Sequence, residues 1–469
     1  MDTAPLPPSA AADPMVIVGA GECGALAALT LRQRGWPHGI VLIGEEPVGP
    51  YERPALSKPA DDGTPWRPMA ETAQLAEAGI TLQLGTAVTA IDRGPRTLRL
   101  ADGRRLRWHR LLLATGAVPR PLAVPGGARA RVLRTLADAQ ALFEAARALS
   151  GGAAGTSAAA AVAASASLAA AASRAFAPAS AADASSAPRS ALAFAADANA
   201  APTSASAPQA VIVGGGLIGL ESAALLRGLG LGVTVVETGP VLLGRVVPAA
   251  LARRLQALHE AAGVQVITGA AVEAVTADSV QLRDGRQLPA ACVLAAIGVQ
   301  PATALAEAAG LTCADGIVVD ARLATADPTV FAAGDCAAVQ TAPDTAPQRS
   351  QSWRAAREQG VHAAGAMLGE AAPLVQRPWF WSDQLGHGLQ VAGRPEADRP
   401  WIERPSGPGA TLLLQLDGEG RLAAAAGLAP GQAIARDIRL LERLMDAGIR
   451  PDPAVLADAA VPLKSLWPR

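Results

Sequence analysis

Two short glycine-rich runs in this sequence have the spacing that binds a pyrophosphate. The G-x-G-x-x-G pattern occurs at residues 19–24 and again at residues 214–219. The first glycine of such a run permits a tight turn, the second lets a phosphate approach the backbone, and the third lets a helix pack closely on a strand. Each run therefore predicts a dinucleotide-binding turn, with the phosphates at the N-terminus of the following helix. The glycines concerned are Gly19, Gly21, Gly24, Gly214, Gly216 and Gly219.

An acidic residue follows each run at the distance where a carboxylate accepts a hydrogen bond from a ribose hydroxyl. These residues are Glu45 after the first run and Glu237 after the second. Because a carboxylate repels the 2′-phosphate of NADPH, Glu237 favours NADH as the coenzyme. Arg245 lies downstream and could reach a 2′-phosphate, which leaves NADPH as the alternative.

Both runs lie within a strand–helix–strand pattern. In the first, apolar residues 15–18 predict a buried strand, residues 25–34 a helix and residues 40–43 a second strand. The matching ranges of the second pattern are 210–213, 220–229 and 233–236. Two such units in one chain predict two dinucleotide-binding domains, one for FAD and one for NAD. The glycines do not decide which domain binds which cofactor.

Two further stretches differ in composition. Residues 151–209 are rich in Ala, Ser, Gly and Pro, so they cannot bury enough apolar surface to form a core, and we expect a disordered insertion there. From Pro378 onward, short apolar stretches separated by Gly and Pro predict the strands of a third, α+β domain. A helix is expected over residues 432–447 of that domain.

Composition excludes several functional classes. The chain has 469 residues, 50% of them hydrophobic, and a net charge of -1, so charge favours neither a nucleic acid nor a membrane surface as partner. We expect no membrane span and no signal peptide. The cysteines lack CxxC and metal-ligand spacing and the histidines share no spacing, which argues against a disulfide framework and a metal site and favours a reducing, cytoplasmic compartment. The cysteines are Cys23, Cys292, Cys313 and Cys336.

Several segments resemble one family, the NADH-dependent ferredoxin reductases of oxygenase systems. Residues 49–58, GPYERPALSK, are similar to that family's P-Y-[DE]-R-P-P-L-S-K segment. Residues 379–384, WFWSDQ, resemble its C-terminal signature, and residues 461–466, VPLKSL, resemble its chain end. Residues 106–116 and the C-terminal end most resemble the reductase of phenylpropionate/cinnamate dioxygenase.

The same resemblance assigns the two cofactors. The stretch TADPTVFAAGDCA at 325–337 is similar to the second FAD fingerprint of two-dinucleotide flavoprotein reductases, and residues 114–116 resemble the motif where the chain leaves the FAD domain. The resemblance thus implies an α/β protein with two Rossmann-like domains, binding FAD and NADH, and a C-terminal α+β domain. The implied bounds are a disordered tail at 1–12, a discontinuous FAD domain at 13–120 and 316–377, an NAD domain at 121–315 and a C-terminal domain at 378–469.

The resemblance also implies roles for individual residues. Lys58 is expected beside the flavin and paired with Glu221, and Trp381 is expected near the flavin edge where a partner docks. The other implied FAD contacts are Gly19, Gly21, Cys23, Gly24, Glu45, Val88, Thr115, Gly116, Arg134, Asp335 and Trp353. The other implied NAD contacts are Gly214, Gly216, Ile218, Gly219, Glu237, Arg245 and Gly298.

By this resemblance, NADH reduces the flavin, and a Rieske-type or other 2Fe-2S ferredoxin carries the electrons to an aromatic-ring oxygenase. Arg354 and Arg357 are candidates to steer an acidic partner. Residues 46–70 contain no cysteine, which disfavours transfer to a dithiol. The alternatives are a rubredoxin, a quinone or oxygen as the acceptor, or a flavoprotein with a binding or signalling role. Residues 384–387, QLGH, depart from the family pattern, which leaves the details of partner contact open.

Overall fold

The computed structural model describes residues 13–58, 67–69, 72–151, 207–244, 246–342 and 344–467. The predicted tail at 1–12, nearly all of the predicted insertion at 151–209, and Arg245 lie outside these residues. The architecture predicted from the sequence is confirmed: two units built on parallel sheets are followed by a domain built on an antiparallel sheet.

A five-stranded parallel sheet forms the core of the first unit. Its strands, in spatial order, are β19 (Val330–Ala332), β7 (Arg110–Leu113), β1 (Met15–Val18), β2 (Ile40–Ile43) and β3 (Ile80–Gln83). Helices α1 (Glu22–Gln33) and α7 (Trp353–Met367) pack so closely that a Cβ at Gly360 would lie 2.4 Å from the carbonyl oxygen of Cys23. The sheet therefore joins two segments that are more than 200 residues apart.

Shorter elements complete this unit. They are helix α2 (Thr72–Glu77), strands β4 (Val88–Asp92), β5 (Thr97–Leu100), β6 (Arg105–Arg107), β17 (Cys313–Ala314), β18 (Gly316–Val319), β20 (Ala337–Val339) and β21 (Gln348–Arg349), and 3₁₀ turns at Arg53–Ser57 and Gly334–Cys336. Strands β4 to β6 form an antiparallel sheet, and β17, β18, β20 and β21 form a mixed one.

The second unit repeats the plan of the first. Its parallel sheet has the order β11 (Val264–Ile267), β10 (Gly232–Val236), β9 (Gln209–Val213) and β15 (Cys292–Ala295). Its remaining elements are α3 (Leu136–Leu149), α4 (Leu217–Gly228), α5 (Ala249–Ala261), β12 (Val272–Val275), β13 (Ser279–Leu282), β14 (Gln287–Pro289) and a 3₁₀ turn at Gly127–Arg129. Helix α6 (Ala304–Ala308) follows the second sheet in the sequence but packs against β4 in the core of the first unit. Strands β8 (Ala117–Pro119) and β16 (Val299–Pro301) pair where the chain passes between the two units.

The C-terminal domain is a five-stranded antiparallel sheet covered by helix α8. The strand order is β22 (Trp379–Gln384), β23 (His387–Gly393), β26 (Leu422–Pro430), β25 (Thr411–Leu416) and β24 (Ile402–Pro405). Helix α8 (Ala435–Asp446), helix α9 (Pro453–Ala457) and a 3₁₀ turn at Leu463–Leu466 follow. On β22, alternate side chains reach different cores: Phe380 packs with the second unit, whereas Trp379 and Trp381 pack with the C-terminal domain.

The predicted starts of two helices were wrong by three residues. Helices α1 and α4 begin at Glu22 and Leu217, whereas the sequence pattern predicted starts at residues 25 and 220. Gly21 and Gly216 are the N-caps and have extended backbones, so the helices begin inside the glycine runs. Among the described residues, no helix has the length and apolar character needed to span a membrane.

Candidate active site

The first glycine turn has one glycine exposed to open space and two packed against backbone. Gly19 has φ +115°, and a Cβ there would lie 2.1 Å from the carbonyl oxygen of Ala114. A Cβ at Gly24 would lie 2.0 Å from the carbonyl oxygen of Gly19. At Gly21, in contrast, an added Cβ meets no described atom within 4 Å. This arrangement leaves room for a phosphate against the middle of the turn.

The second glycine turn repeats this geometry. Gly214 has φ +109°, and its Cβ would lie 2.4 Å from the carbonyl oxygen of Ala296, while one at Gly219 would lie 2.1 Å from the carbonyl oxygen of Gly214. A Cβ at Gly216 again meets no described atom within 4 Å. Neither α1 nor α4 has a side-chain N-cap, so the N–H groups of their first turns are available to an anion. Both turns fit a dinucleotide pyrophosphate.

The carboxylates at the strand ends differ between the two units. Glu45 is exposed at the end of β2. Glu237 accepts hydrogen bonds from the backbone N–H groups of Gly215 and Gly239, each over 2.7 Å, so the glycine turn itself holds this carboxylate in place. Ile218, at the start of α4, is 44% exposed beside the turn. An apolar side chain at that place suits a flat aromatic ring.

A buried ion pair joins the two units. Lys58 Nζ lies 3.0 Å from Glu221 Oε1, and the two side chains are 5% and 4% exposed. Lys58 follows the 3₁₀ turn of the first unit, and Glu221 lies on α4 of the second. Ser57 and Ser382 also donate hydrogen bonds to the Glu221 carboxylate, so each of its oxygens has a partner. The pair implied by the resemblance is therefore in contact.

Three tryptophans and two arginines form a cluster that continues from Lys58 of this pair. Trp381 stacks on Trp379 at 5.2 Å between ring centroids and meets Trp353 edge-on at 5.4 Å. Each ring has a cation over it. The pairs are Lys58 over Trp381 at 5.2 Å, Arg354 over Trp379 at 4.8 Å and Arg357 over Trp353 at 4.7 Å. Trp353 and Trp381, from separate parts of the chain, thus meet beside the buried lysine.

Arg354 and Arg357 do not have the free guanidinium groups that steering of a partner requires. Arg354 pairs with Glu442 and with Glu358, and its side chain is 15% exposed. Arg357 pairs with Glu22, and its side chain is 29% exposed. Their charges are compensated within the chain, so the prediction that they steer an acidic partner loses its physical basis.

Of the remaining predicted FAD contacts, Arg134 and Asp335 pair at 3.2 Å. Thr115 donates a hydrogen bond to the carbonyl oxygen of Ala302 over 2.7 Å, at the passage between the units. Gly116, also at the passage, has φ +72°. Val88 begins β4, where it pairs with Leu100, apart from the ion pair.

Two other predicted residues, Gly298 and Cys23, have contacts with other parts of the protein. Gly298 precedes β16 and accepts a hydrogen bond from the N–H of Arg120, so it belongs to the passage between the units. The buried Cys23 packs beside Gly334, where its Sγ would lie 3.5 Å from an added Cβ. The structure therefore places Cys23 against the protein interior.

The sequence reasoning missed a second buried carboxylate. Glu22, at the start of α1, is 9% exposed and pairs with Arg357. Burial raises the pKa of Glu22 to about 7, although the charge of Arg357 opposes the shift. The only local signal is the glutamate within the first glycine run, because its partner lies 335 residues away.

The sequence analysis also missed the polar residues that connect to Glu221 through hydrogen bonds. Gln384 donates a hydrogen bond to Ser382 over 2.8 Å, and His259 lies 2.8 Å from Gln384. All three residues are buried. Polar side chains at alternate positions of an aromatic strand were the available signal. One signal for Lys58 was also overlooked: Lys58 and Lys464 are the only two lysines in the sequence.

The cysteines do not form a redox pair. They are free, and burial raises the pKa of Cys23, Cys292 and Cys336, which disfavours the reactive thiolate. Among the described residues, no group of three or more His, Cys, Asp or Glu side chains is placed to hold a metal ion.

Known proteins resemble this chain over nearly its whole length. A family model described as "Pyridine nucleotide-disulphide oxidoreductase" matches residues 13–360, and one described as "Reductase C-terminal" matches residues 379–467. The anthranilate 1,2-dioxygenase system ferredoxin–NAD(+) reductase component of Burkholderia cepacia is 34% identical, with 97% of this chain and 99% of that protein covered.

Two further relatives are similar. The biphenyl dioxygenase system ferredoxin–NAD(+) reductase component of Paraburkholderia xenovorans is also 34% identical, covering 87% of this chain and 88% of that protein. A crystal structure of the covalent putidaredoxin reductase–putidaredoxin complex superposes with a TM-score of 0.77 at 31% identity, covering 97% of this chain and 98% of that one.

Proposed function

Since this chain belongs to the pyridine nucleotide-disulphide oxidoreductase family, we propose that it transfers electrons from NADH, through bound FAD, to a small iron–sulfur ferredoxin. The chain is an oxidoreductase, and both curated relatives described above are named ferredoxin–NAD(+) reductase components. The solved neighbour is a reductase in complex with putidaredoxin. Similarity over nearly the full length supports the same reaction and the same class of partner here.

The buried Lys58–Glu221 pair is the observation that carries this proposal. It brings a cation from the first dinucleotide-binding unit against a carboxylate from the second, at 3.0 Å. FAD, when bound, accepts a hydride from NADH and gives up the two electrons one at a time to a one-electron acceptor. A fixed cation beside the isoalloxazine ring would stabilise the negative charge that reduction leaves there. Glu221 would hold that cation in place and help to seat the nicotinamide.

The first unit would hold FAD. The open side of the turn at Gly21 and the N-terminus of α1 would receive the pyrophosphate, and the exposed carboxylate of Glu45 would accept a ribose hydroxyl. Arg134, Asp335 and the remaining predicted FAD contacts would hold the rest of the cofactor. We propose the domain bounds implied by the resemblance on the same basis, with 13–120 and 316–377 forming the FAD domain.

The second unit would hold NADH. The turn at Gly216 and the N-terminus of α4 would receive its pyrophosphate, and Glu237 would accept the ribose hydroxyl. Because the backbone of the turn fixes the Glu237 carboxylate, a 2′-phosphate would meet a negative charge that cannot move away. The exposed Ile218 would pack against the nicotinamide.

Disulfide reduction, which the family's name includes, is not proposed. A dithiol acceptor needs a pair of accessible thiols beside the flavin, whereas Cys23 and Cys336 are buried and burial raises the pKa of both. The acceptor proposed here is external. Both curated relatives belong to systems that oxygenate aromatic compounds, which supports an aromatic-ring oxygenase as the final recipient. The similarity to phenylpropionate/cinnamate dioxygenase reductase stays a prediction, and we propose a cytoplasmic location.

Two assays on the purified FAD-loaded protein test the proposal. NADH should bleach the flavin in a stopped-flow experiment, and rapid reduction of cytochrome c should require an added 2Fe-2S ferredoxin. Rapid reduction of a quinone or of oxygen without ferredoxin would identify another acceptor. Slow bleaching with a long-lived charge-transfer band would favour a signalling flavoprotein and overturn the proposal.

A further inference from the structure

A line of buried polar side chains runs from the Lys58–Glu221 pair into the second unit. Ser382 donates a hydrogen bond to Glu221 Oε1, and Gln384 Nε2 donates one to Ser382 Oγ over 2.8 Å. Gln384 Oε1 in turn lies 2.8 Å from His259 Nε2. Ser382 and His259 are 0% exposed and Gln384 is 2% exposed, so solvent does not compete for these hydrogen bonds.

The hydrogen bonds along this line all have the same donor-to-acceptor direction. Because the amide nitrogen of Gln384 faces the Ser382 hydroxyl, its oxygen faces His259, and the imidazole must donate from Nε2. His259 Nδ1 has no hydrogen-bond partner among the described residues, and burial lowers the pKa of His259, which together keep the ring neutral. Each donor in the series therefore points toward the Glu221 carboxylate.

We propose that Ser382, Gln384 and His259 are positioning residues that act through Glu221 on Lys58 and so set the reactivity of the bound flavin. The inference rests on the proposed function. Aligned donors stabilise a carboxylate in one orientation, and that carboxylate fixes the lysine. The FAD domain supplies Lys58, the NAD domain supplies Glu221 and His259, and the C-terminal domain supplies the other two. All three domains thus contribute to one site.

The strand that carries these residues shows that packing alone does not require them. Residues 380, 382 and 384 lie on the same face of β22, because side chains alternate along a strand. The first of them, Phe380, packs in the core of the second unit. Apolar side chains would fill the next two positions, 382 and 384, without the cost of removing polar atoms from water. The strand instead buries a hydroxyl that donates to Glu221 and an amide that accepts a hydrogen bond from His259 and donates one to Ser382.

The test is a series of substitutions in the FAD-loaded protein, with two readouts. Ser382→Ala should slow bleaching of the flavin by NADH about tenfold and make the flavin midpoint potential more negative, since a hydrogen bond to a charged group is lost. Ser382→Thr keeps the hydroxyl and should restore both values. Gln384→Leu and His259→Leu should produce the same changes in decreasing size. The control is Ser279→Ala. It also removes the hydroxyl of a buried serine in the second unit, 4% exposed, and should change neither readout.

A double substitution decides whether Ser382 acts through Glu221. In a Glu221→Gln background, Ser382→Ala should produce little further change in rate or potential, because the carboxylate it positions is gone. An equal loss in both backgrounds would overturn the proposal, as would an unchanged potential and rate in Ser382→Ala. If that variant does not bind FAD, Gln384→Leu carries the same prediction. Potentials are measured with dithionite, so a wild type that NADH fails to reduce would refute the proposed function alone.

Discussion

Each dinucleotide-binding unit contributes a buried glutamate that pairs with a cation, and a tryptophan lies under each of these cations. In the first unit the Glu22 cluster consists of Glu22, Arg357 and Trp353. Across the interface the Glu221 cluster consists of Glu221, Lys58 and Trp381. The two tryptophans touch edge-on at 5.4 Å, so the clusters meet. They share components and geometry but differ in how completely each carboxylate is satisfied.

The difference lies in the number of donors. In the Glu22 cluster, Arg357 is the hydrogen-bonding partner of one carboxylate oxygen, and the other oxygen has none among the described residues. In the Glu221 cluster, Lys58, Ser57 and Ser382 all contact the carboxylate. Burial therefore dominates at Glu22 and raises its pKa to about 7. One fold thus holds a buried carboxylate with a single hydrogen-bonding partner and another with three side chains in contact.

Removing the lysine of the Glu221 cluster should give the largest effect. Lys58→Ala should retain FAD but slow reduction of the flavin by NADH about 10- to 1000-fold, the range expected when one preorganised charge is lost. Stopped-flow bleaching measures the rate directly. The exposed Lys464 provides the matched control, and Lys464→Ala should leave the rate unchanged. Equal rates in the two variants would assign Lys58 a purely structural role.

A smaller effect is expected from substituting the carboxylates at the strand ends, Glu237 in the second unit and Glu45 in the first. The wild type should prefer NADH over NADPH by at least about tenfold in kcat/KM, and Glu237→Gln should bring the ratio closer to one, since the negative charge is gone. The amide can still accept a hydrogen bond from Gly215, so the turn should persist. Glu45→Gln in the first unit should weaken FAD retention without changing the coenzyme ratio. Equal use of both coenzymes by the wild type would contradict the assignment.

Replacing the ring under Lys58 tests whether the Glu221 cluster also faces the electron acceptor. Trp381→Ala should leave bleaching by NADH nearly intact but lower ferredoxin-dependent cytochrome c reduction by about tenfold, as loss of an aromatic interface anchor does. Trp381→Phe keeps a ring and should lose less. If Trp381→Ala slows both half-reactions to the same degree, the contacts of Trp381 with Trp379 and Trp353 are structural and the docking surface lies elsewhere.

The Glu22 cluster should give the smallest effect, and it concerns stability. The pKa of Glu22 is higher in the folded chain, at about 7, than its ordinary value of 4.5. The free energy of unfolding should therefore fall as the pH rises between these two values, because the folded chain binds the proton more tightly. Glu22→Gln should remove this dependence and gain on the order of 1 kcal/mol over the wild type near pH 8. Urea unfolding at several pH values measures it. The control is Glu370→Gln. The Glu370 carboxylate pairs with Arg34 but is 53% exposed, so this substitution should give no such gain in stability.

The sequence predicted the parts of the site that local rules determine. Glycine spacing, buried strands and strand-end acids are short-range features, so both turns, Glu45 and Glu237 could be identified from the residues alone. The segment that ends at Lys58 and its pairing with Glu221 came from the resemblance to a family. The starts of α1 and α4 were misplaced because a glycine N-cap resembles a continuing turn in the sequence.

The parts that depend on long-range packing could not be predicted. Ser382 contacts Glu221 across 161 residues of sequence, and Gln384 contacts His259 across 125. Nothing in the sequence near His259 indicates which strand will pack against α5. The inward direction of Arg354 and Arg357 depends on Glu442 and Glu22, which other elements supply. These contacts follow from how three domains assemble, which local patterns do not encode.

The split first sheet has a consequence for how the protein is made. Its strand β7, at Arg110–Leu113, has an unpaired edge until the ribosome has synthesised β19 at Val330–Ala332, and α1 stays uncovered until α7 follows at Trp353–Met367. The second sheet has all of its strands by residue 295, so it can fold on the nascent chain first. Loading of FAD into its proposed site in the first unit must then wait for nearly complete translation. A ribosome that stalls before residue 330 would release a chain with an open strand edge and an unfinished first sheet, and such a truncated product would be exposed to proteolysis.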